Sequence, residues 1–437
     1  MDPSGVLGYD PNTSQVVAET LVSIVTRSAL YLADGSAQWV AVKTATTRRE
    51  LTREPHDIVK ELRILSTLSN PSIIDVIGST VDPKTSMLRF WMPYITNNLI
   101  TLLRYPQFSP RPFQAAINAP FGVHTETFTM VAKSLIYQII SGISYLHHPS
   151  RAVAHRDIKP SNILVAEDGC VKIVDFGIAY KETDTKDNRK KDIWDEDSTH
   201  MYNEVATGPY RAPELLFGPR AYDALASDQW SLGATIAEFF TSIRHSSCDE
   251  DEDVDSDSED MEDSRTRPYV PPKDPRVMSD DGWERCCLFD SERGDIGLIW
   301  SIFKTRGTAN DQNWPTFKEL PDATKLTFID SPGVPLSTLL PNLPSASLST
   351  TTTSHYPPEM PEPTPLDLIH RLLVYTPSSR IKASKAVDHP WFTSQPLLLP
   401  TSFTDHMDST PPTAATTWKD RSLAQCLSSI IALPLPS

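Results

Sequence analysis

Residues 155–165 read HRDIKPSNILV, a run of polar side chains between apolar flanks. In this run Asp157 is able to accept a proton from a hydroxyl, Lys159 to neutralise a phosphate oxygen, and Asn162 to coordinate a divalent cation. Residues 171–177 follow closely and read VKIVDFG, a short apolar run that ends in an aspartate beside a glycine. A carboxylate at the end of a buried strand suits a complex of metal and phosphate. Both segments therefore carry side chains of the kinds that a metal–phosphate complex needs.

The composition narrows the class of protein. The chain has 437 residues, 39% of them hydrophobic, and a net charge of −16. Its length predicts two or three compact units, and its acidic balance argues against non-specific binding to nucleic acid or to anionic membranes. The five cysteines have neither metal-ligand spacing nor a disulfide framework, which favours an intracellular location in the nucleus or the cytoplasm. Neither a signal peptide nor a membrane span is expected.

The N-terminal part of the chain predicts a small β-rich unit. Residues 20–26 and 38–43 are rich in β-branched side chains, and residues 88–93 form another apolar run, so all three are expected to be strands. Residues 54–68 carry apolar side chains at helical spacing and are expected to form a helix. Residues 1–15 show neither pattern and are expected to be a flexible leader.

From residue 96 onwards the pattern predicts a larger helical unit. Helices are expected over residues 128–147, 227–240 and 366–374, because their apolar side chains recur at helical spacing. The last of these helices precedes the expected end of the domain at residue 392. A long helix that runs directly into residues 155–165 would place the polar run on a rigid support.

Three stretches are expected to lie outside the packed core. Residues near 246–281 contain an acidic run, which predicts a disordered insert, with phosphorylation of its serines as the alternative to a merely solubilising role. Residues 331–365 are rich in Pro, Ser and Thr and predict a second disordered insert. Residues 393–437 predict a Pro/Thr-rich tail with one short apolar patch.

The motifs resemble those of eukaryotic protein kinases. H-R-D-x-K-x-x-N followed by D-F-G resembles the catalytic pair of that family, and the segments VAVK ending at Lys43 and APE ending at Glu214 occur in the family's order. The resemblance covers about residues 16–392. It implies an α+β, two-lobed protein kinase fold, with a small β-rich N-lobe over 16–93 and a larger helical C-lobe over 96–392.

The resemblance implies roles for the residues of the polar run and its neighbours. Asp157 is expected to be the base, or to orient the acceptor hydroxyl, and Lys159 to neutralise the transferred phosphoryl group, with Thr207 bridging the two. Asn162 and Asp175 are expected to hold Mg²⁺. A lysine at the position of Lys159 is typical of the kinases in this family that act on serine and threonine.

The resemblance also implies an ATP site. Lys43 is expected to contact the α- and β-phosphates and to form an ion pair with Glu61. Ala41 is expected to pack on the adenine ring and Met92 to be the gatekeeper residue. The backbone around Ile95 is expected to meet the adenine edge. The implied cofactors are therefore ATP and Mg²⁺.

Structural contacts are implied at three further positions. Glu214 is expected to pair with Arg380, and Asp228 to brace the catalytic loop through its backbone. These contacts would support the fold of the C-lobe rather than touch the substrates.

The way in which kinase activity is switched on is expected to differ from that of most members of the family. Tyr202 stands where the family carries its activating threonine, and of three phosphate-binding arginines only Arg156 remains, since Lys60 and Tyr180 occupy the other positions. An acid among residues 195–197 would supply a fixed negative partner for Arg156, which predicts activity without phosphorylation of the activation loop. The alternative is that this acidic run is simply solvated.

Further segments narrow the resemblance. Residues 294–308 resemble the insert of the cyclin-dependent kinase group. Residues 211–218 resemble the kinases that activate cyclin-dependent kinases, and residues 204–210 resemble the divergent fungal branch of that class. The implied protein substrate is the activation loop of a cyclin-dependent kinase. A cyclin partner stays open but is not favoured.

One departure from the family concerns the loop that covers the phosphates. Residues 20–31 contain no glycine, although the family's loop depends on glycine for close approach of its amides. The affinity for nucleotide is therefore expected to be altered. Two alternatives to the leading interpretation follow: a cyclin-bound kinase with Pro-directed substrates, and an inactive pseudokinase scaffold that recruits partners through the acidic insert and the tail.

Overall fold

The computed structural model describes residues 8–32, 35–111, 121–246, 265–270, 282–344, 364–407 and 411–431. The strands are β1 (Asp10–Glu19), β2 (Ile24–Tyr31), β3 (Ala37–Thr46), β4 (Gly78–Asp82), β5 (Met87–Pro93), β6 (Asn97–Asn98), β7 (Val153–Ala154), β8 (Ile163–Val165), β9 (Val171–Ile173), β10 (Tyr180–Lys181), β11 (Ile243–His245), β12 (Tyr269–Val270), β13 (Trp283–Arg285), β14 (Leu397–Leu398) and β15 (Ala414–Ala415). The helices are α1 (Ile58–Leu65), α2 (Leu99–Arg104), α3 (Phe121–Leu146), α4 (Lys186–Arg189), α5 (Ala224–Ala237), α6 (Gly294–Arg306), α7 (Leu336–Leu339), α8 (Pro365–Leu372), α9 (Ala383–Ala386), α10 (Pro390–Thr393), α11 (Thr401–Thr404) and α12 (Leu423–Ile431). Within these described ranges, no helix has the length and apolar character needed to cross a membrane.

The N-terminal lobe is an antiparallel sheet with the strand order β1-β2-β3-β5-β4. Because successive side chains of a strand point to opposite faces, Val40 and Val42 of β3 pack on Trp91 at one face. Ala41 and Lys43 therefore point to the other face, where α1 and the C-terminal lobe lie. This alternation places Lys43 at the boundary between the lobes.

The start of the sheet differs from the sequence prediction. Residues 10–15, expected in a flexible leader, belong to β1, and residues 20–23, expected at the start of a strand, form the turn between β1 and β2. Polar side chains connect the two strands: Thr13 Oγ1 accepts a hydrogen bond from the Ala29 amide at 2.8 Å, and the hydroxyls of Ser14 and Ser28 lie 2.7 Å apart. An apolar pattern does not reveal a strand that is held by such contacts.

Helix α1 is shorter than the predicted helix over 54–68. Asp57 is its N-cap, and Asp57 Oδ1 accepts hydrogen bonds from the amides of Val59 and Lys60 at 2.9 Å each. The capping carboxylate and the preceding Pro55 stop the helix from starting earlier. The cap fixes where the buried face of α1 begins.

The C-terminal lobe is built around α3, which begins at residue 121 rather than at the predicted residue 128. Ile136, Ile139 and Ile140 of this helix are fully buried in the main apolar core. The adjacent α5 is buried along nearly its whole length, and its Trp230 stacks on Phe289. Helix α3 leads into β7 and then into the polar run at residues 155–165, as the sequence predicted.

The two predicted inserts are only partly outside the packed core. Residues 331–344 of the second insert contain α7, and Leu336, Leu340 and Leu343 there are fully buried. These leucines lie among prolines and serines, which is why composition hid them. In the first insert, β12 pairs in parallel with β11. The prediction of disorder for residues 247–264, 271–281 and 345–363 lies outside the described residues.

The tail also differs from its prediction, because its described part packs on the lobe. The apolar side chains of Leu397, Phe403, Leu423 and Cys426 are buried in the main core. The Lys133 ammonium on α3 donates to the carbonyl of Pro396 at 3.0 Å. The folded domain therefore continues past residue 392, and the Pro/Thr-rich composition concealed a few widely spaced apolar anchors.

Truncating one of these anchors tests their contribution. We expect Leu423→Ala, which removes a side chain only 1% exposed, to lower the free energy of unfolding by about 2–5 kcal/mol. The matched control Ile431→Ala, on the same helix and 38% exposed, is expected to cost less than about 1 kcal/mol. Denaturant unfolding measures both, and equal losses would contradict the packing of α12 on the core.

Candidate active site

A short β-hairpin brings the polar run at residues 155–165 next to the DFG segment at residues 175–177. Strands β8 and β9 pair antiparallel, and the Val174 amide donates to the carbonyl of Asn162 at 3.0 Å. Arg156 and Asp175 both have left-handed backbone conformations, with φ of 65° and 68°. Non-glycine residues in this conformation are strained and concentrate at functional sites. The hairpin thus brings the two predicted segments to one place.

Asp157 has a fully defined orientation. Its Oδ1 accepts a hydrogen bond from Thr207 Oγ1 at 2.6 Å, and its Oδ2 accepts one from Asn162 Nδ2 at 2.9 Å. The Lys159 ammonium lies 2.9 Å from Asp157 Oδ2 and donates to Thr207 Oγ1 at 2.6 Å. Thr207 therefore bridges Asp157 and Lys159. These contacts hold both oxygens of the Asp157 carboxylate in fixed positions.

A second charged group lies on the N-lobe side of the cleft. The Lys43 ammonium contacts Glu61 Oε2 and Asp175 Oδ1, each at 2.7 Å. The Phe176 amide donates to Glu61 Oε1 at 3.1 Å. This ion pair requires α1 to lie against the cleft, since Glu61 is carried by that helix.

The charged states of Lys43 and Asp175 stabilise each other. Burial alone would lower the pKa of the Lys43 ammonium, but the carboxylates of Asp175 and Glu61 outweigh burial and raise it. Burial alone would likewise raise the pKa of Asp175, but Lys43 holds it well below its usual range. At neutral pH Lys43 is therefore charged and Asp175 is ionised.

The predicted adenine residues lie together in one apolar layer. Ala41 in β3 faces Met92 in β5 across the ladder, and both belong to the same apolar cluster as Ile95. The Tyr94 amide donates to the carbonyl of Trp39 at 3.2 Å, which fixes the connection between the lobes. Apolar side chains gathered beside the backbone that connects the lobes suit a purine ring.

The turn between β1 and β2 takes the place of a glycine-rich loop. Thr20 Oγ1 accepts hydrogen bonds from the amides of Val22 at 3.3 Å and Ser23 at 3.0 Å. These two amides are therefore engaged inside the turn. A threonine hydroxyl closes this hairpin without glycine, but the engaged amides are not free to bind phosphate.

The predicted structural contacts are present. Asp228 accepts hydrogen bonds from the amides of His155 at 2.8 Å and Arg156 at 2.7 Å. Glu214 and Arg380 form a buried bidentate ion pair with distances of 2.7 and 2.6 Å. Both contacts connect the catalytic loop and the APE segment to the C-lobe core.

The acidic partner expected for Arg156 is Glu196. Arg156 donates to both oxygens of this carboxylate, at 2.5 and 2.8 Å, and the pair is almost fully buried. The guanidinium of Arg156 lies 5.5 Å from the ring centroid of Tyr180, and the Tyr202 hydroxyl donates to Glu54 at 3.0 Å. The flanking acids of the run, Asp195 and Asp197, are exposed. Only the middle residue of the run turns inwards.

Sequence reasoning missed several residues beside this group. Asp57, Arg63 and Asp192 bridge α1 and the segment after DFG. Asp57 carried one usable signal, a capping-type residue immediately before an apolar helix. The other two gave none, because a charged residue on a helix or loop is usually solvated.

The donor set suits magnesium. Asn162 uses its side-chain nitrogen to contact Asp157, which leaves its side-chain oxygen for a cation. Asp175 contacts Lys43 through Oδ1, which leaves Oδ2 as a second ligand. Magnesium is commonly held by one or two protein oxygens together with phosphates. Among the described residues, no group of three or more His, Cys, Asp or Glu side chains is placed to hold a metal ion.

Comparison with known proteins agrees with this geometry. The family model described as "Protein kinase domain" matches residues 27–392. Probable cyclin-dependent kinase 8 of Dictyostelium discoideum is 29% identical over 371 residues, which are 83% of this chain and 76% of that protein. Cyclin-dependent kinase 20 of Homo sapiens is 26% identical over 359 residues, which are 82% of this chain and 76% of that protein.

Solved structures share the fold. The CAK complex of Chaetomium thermophilum bound to ATP-gamma-S has a TM-score of 0.57 at 21% identity, over 88% of this chain and 91% of that chain. The yeast RNA Pol II CTD kinase CTDK-1 complex has a TM-score of 0.56 at 20% identity, over 92% of this chain and 98% of that chain. The predicted α+β, two-lobed fold is thereby confirmed. The chain belongs to the protein kinase family and is a cyclin-dependent-kinase-like member of it.

Proposed function

We propose that this protein is an ATP-dependent serine/threonine kinase that phosphorylates the activation loop of a cyclin-dependent kinase. The observation that carries the catalytic part is the pair of charged groups on opposite sides of one cleft. Lys43 with Glu61 and Asp175 forms one, and Asp157 with Lys159 forms the other. An inactive scaffold has no need for both groups in this arrangement, so their geometry favours an enzyme.

The residues of the cleft divide the chemistry between them. Lys43, Asn162 and Asp175 would hold ATP and Mg²⁺, which when bound supply the phosphoryl group and neutralise its charge. Asp157 would orient the acceptor hydroxyl and receive its proton, because its carboxylate is held in place by Thr207 and Asn162. Lys159 would stabilise the negative charge that develops on the transferred group.

The substrate part of the proposal has separate support. Residues 211–218 resemble kinases that activate cyclin-dependent kinases, and a solved CAK complex shares the fold. The relatives named above are themselves cyclin-dependent kinases, which agrees with a role for this protein among kinases of that group. A cyclin-bound kinase with Pro-directed substrates is the alternative from the same class.

The substrate is tested with an inactive cyclin-dependent kinase as acceptor. We expect the purified wild-type protein to transfer labelled phosphate to the acceptor that retains its activation-loop threonine. We expect no transfer to the same acceptor with valine at that position. Equal labelling of both acceptors, or labelling only of Pro-directed peptides, would overturn the substrate assignment while leaving kinase activity in place.

A further inference from the structure

Asp57 joins α1 to the activation segment, defined here as residues 175–214. Its Oδ1 caps α1, and its Oδ2 accepts hydrogen bonds from the amides of Ile193 at 2.6 Å and Trp194 at 3.1 Å. The residue is only 1% exposed. One buried carboxylate therefore satisfies amides of both elements, and neither element can move without leaving buried amides unpaired.

Arg63 makes a second connection, nearly two turns further along α1. Its guanidinium donates to both oxygens of Asp192, at 3.0 and 2.6 Å, and to Asp184 at 3.1 Å. Trp194 adds a hydrogen bond from its indole to the carbonyl of His56 at 3.0 Å. Bidentate arginine–carboxylate pairs fix geometry as well as charge.

Glu196 makes the third connection. Its carboxylate contacts Arg156 of the catalytic loop, accepts a hydrogen bond from the Tyr202 amide at 2.9 Å, and lies 3.6 Å from the Lys60 ammonium on α1. Burial raises the pKa of Glu196, but Arg156 outweighs burial and lowers it, so the group is ionised at neutral pH. The Glu196 carboxylate thus connects α1, the catalytic loop and the activation segment.

These three connections bear on catalysis through Glu61. Glu61 lies on α1 between Asp57 and Arg63, and it reaches Lys43 only when α1 is drawn towards the cleft. We propose that Asp57, Arg63 and Glu196 form an intramolecular clamp that holds α1 in the catalytic position, so that the kinase is active without a phosphorylated activation loop and without a cyclin. This regulation rests on the proposed kinase function.

The clamp uses the same physics as an activating phosphate. A phosphate on an activation loop orders the loop by charge-assisted hydrogen bonds to cations from neighbouring elements. Here Glu196 supplies a permanent carboxylate to Arg156 and Lys60, and Asp57 and Arg63 connect α1 directly to the loop. The side of α1 that carries Lys60 and Arg63 is therefore already covered by the activation segment of the same chain.

The first test asks whether the kinase is active alone. The full-length protein made in bacteria and treated with phosphatase is assayed on a serine/threonine peptide library and, separately, on an inactive cyclin-dependent kinase. We expect phosphotransfer to the library with no cyclin present. The variant Ser198→Ala/Thr199→Ala/Tyr202→Phe should stay within about threefold of wild type, because Ser198 is exposed and the hydroxyls of Thr199 and Tyr202 make only exposed contacts.

The outcomes of this test separate the two proposals. Activity on the library without activity on the cyclin-dependent kinase supports the clamp and overturns the substrate assignment. Activity that requires a cyclin or a phosphorylated loop overturns the clamp, whichever substrate is used. A protein inert under every condition overturns the clamp as well, since the clamp predicts an active kinase.

The second test breaks the clamp. We expect Glu196→Gln to lower kcat by about 100-fold, the cost of misplaced catalytic groups, and Asp195→Asn, a neighbouring exposed acid, to leave kcat unchanged. Hydrogen exchange of the amides of residues 58–65 should rise in Glu196→Gln, while that of residues 135–146 stays the same. A merely structural role would raise exchange in both segments or in neither.

Arg63→Gln keeps the test decisive if Glu196→Gln does not fold. Arg63 is more exposed than Glu196, with side-chain exposures of 21% and 3%, and glutamine removes its charge while keeping a hydrogen-bond donor beside the buried carboxylates of Asp184 and Asp192. We expect the same direction of change in kcat and in hydrogen exchange of residues 58–65. Unchanged kcat together with unchanged exchange in Arg63→Gln would overturn the clamp.

Discussion

Replacing Asp157 with alanine is expected to lower the rate of phosphotransfer by about 10²–10⁴-fold, the usual contribution of a positioned acid or base. Asp157 is the one carboxylate in the described cleft that is oriented jointly by Thr207, Asn162 and Lys159. Alanine leaves these donors in place but removes the group that would orient the acceptor hydroxyl. The binding of nucleotide should change little, because Lys43 and its partners are untouched.

The matched control for Asp157→Ala is Asp187→Ala. The Asp187 side chain is 91% exposed, so its removal is expected to leave kcat and the melting temperature unchanged. The measurement is the steady-state kcat of each variant on the same peptide substrate. More than a tenth of wild-type kcat in a correctly folded Asp157→Ala protein would remove Asp157 from its proposed role.

Replacing Lys43 with methionine is expected to abolish nearly all activity, by about 10²–10³-fold, because a preorganised positive charge at the phosphates is lost. The Lys43 ammonium also neutralises Glu61, whose side chain is only 2% exposed. A buried carboxylate without its partner is costly, so Lys43→Met should also lower stability.

A double variant separates these two effects of Lys43. Lys43→Met/Glu61→Gln removes the buried charge together with its partner and should regain stability without regaining activity. Lys190→Met, at a side chain 74% exposed, is the control for the loss of one lysine. If Lys43→Met keeps wild-type nucleotide binding and kcat, the proposed phosphate contact is wrong.

The motif residues were predictable because the chemistry restricts both residue type and spacing. Asp157, Lys159 and Asn162 lie within six residues on one loop, and the β8–β9 hairpin then places Asp175 beside them. The Lys43–Glu61 pair joins residues from separate elements. That pair was available only through the resemblance, since spacing along the chain does not reveal a contact between a strand and a helix.

Strand β1 and the C-terminal tail were not predictable from the pattern of apolar residues. Strand β1 is held by polar side chains such as Thr13 and Ser14, so its residues look like a loop in a hydrophobicity pattern. The tail hides Leu423 and its buried neighbours among prolines and threonines. In both cases tertiary packing decided the structure where local composition pointed to an irregular chain.

The clamp was only partly predictable for a related reason. The acidic run at residues 195–197 suggested a partner for Arg156, but three acids were equivalent in the sequence, and the structure turns only Glu196 inwards. The connection of Arg63 with Asp192 spans 129 positions of the chain. No pattern in a single sequence marks such a pair, because surface arginines and aspartates are common and mostly solvated.

The central claim is that this chain is an active kinase whose catalysis depends on Asp157. The most direct measurement is the rate of labelled phosphate transfer from ATP to a serine/threonine peptide library by bacterially made, phosphatase-treated wild-type protein, beside Asp157→Asn. The account predicts continuous multiple turnover by the wild type and no turnover above background by Asp157→Asn. A wild type that binds ATP but transfers no more phosphate than Asp157→Asn would contradict it.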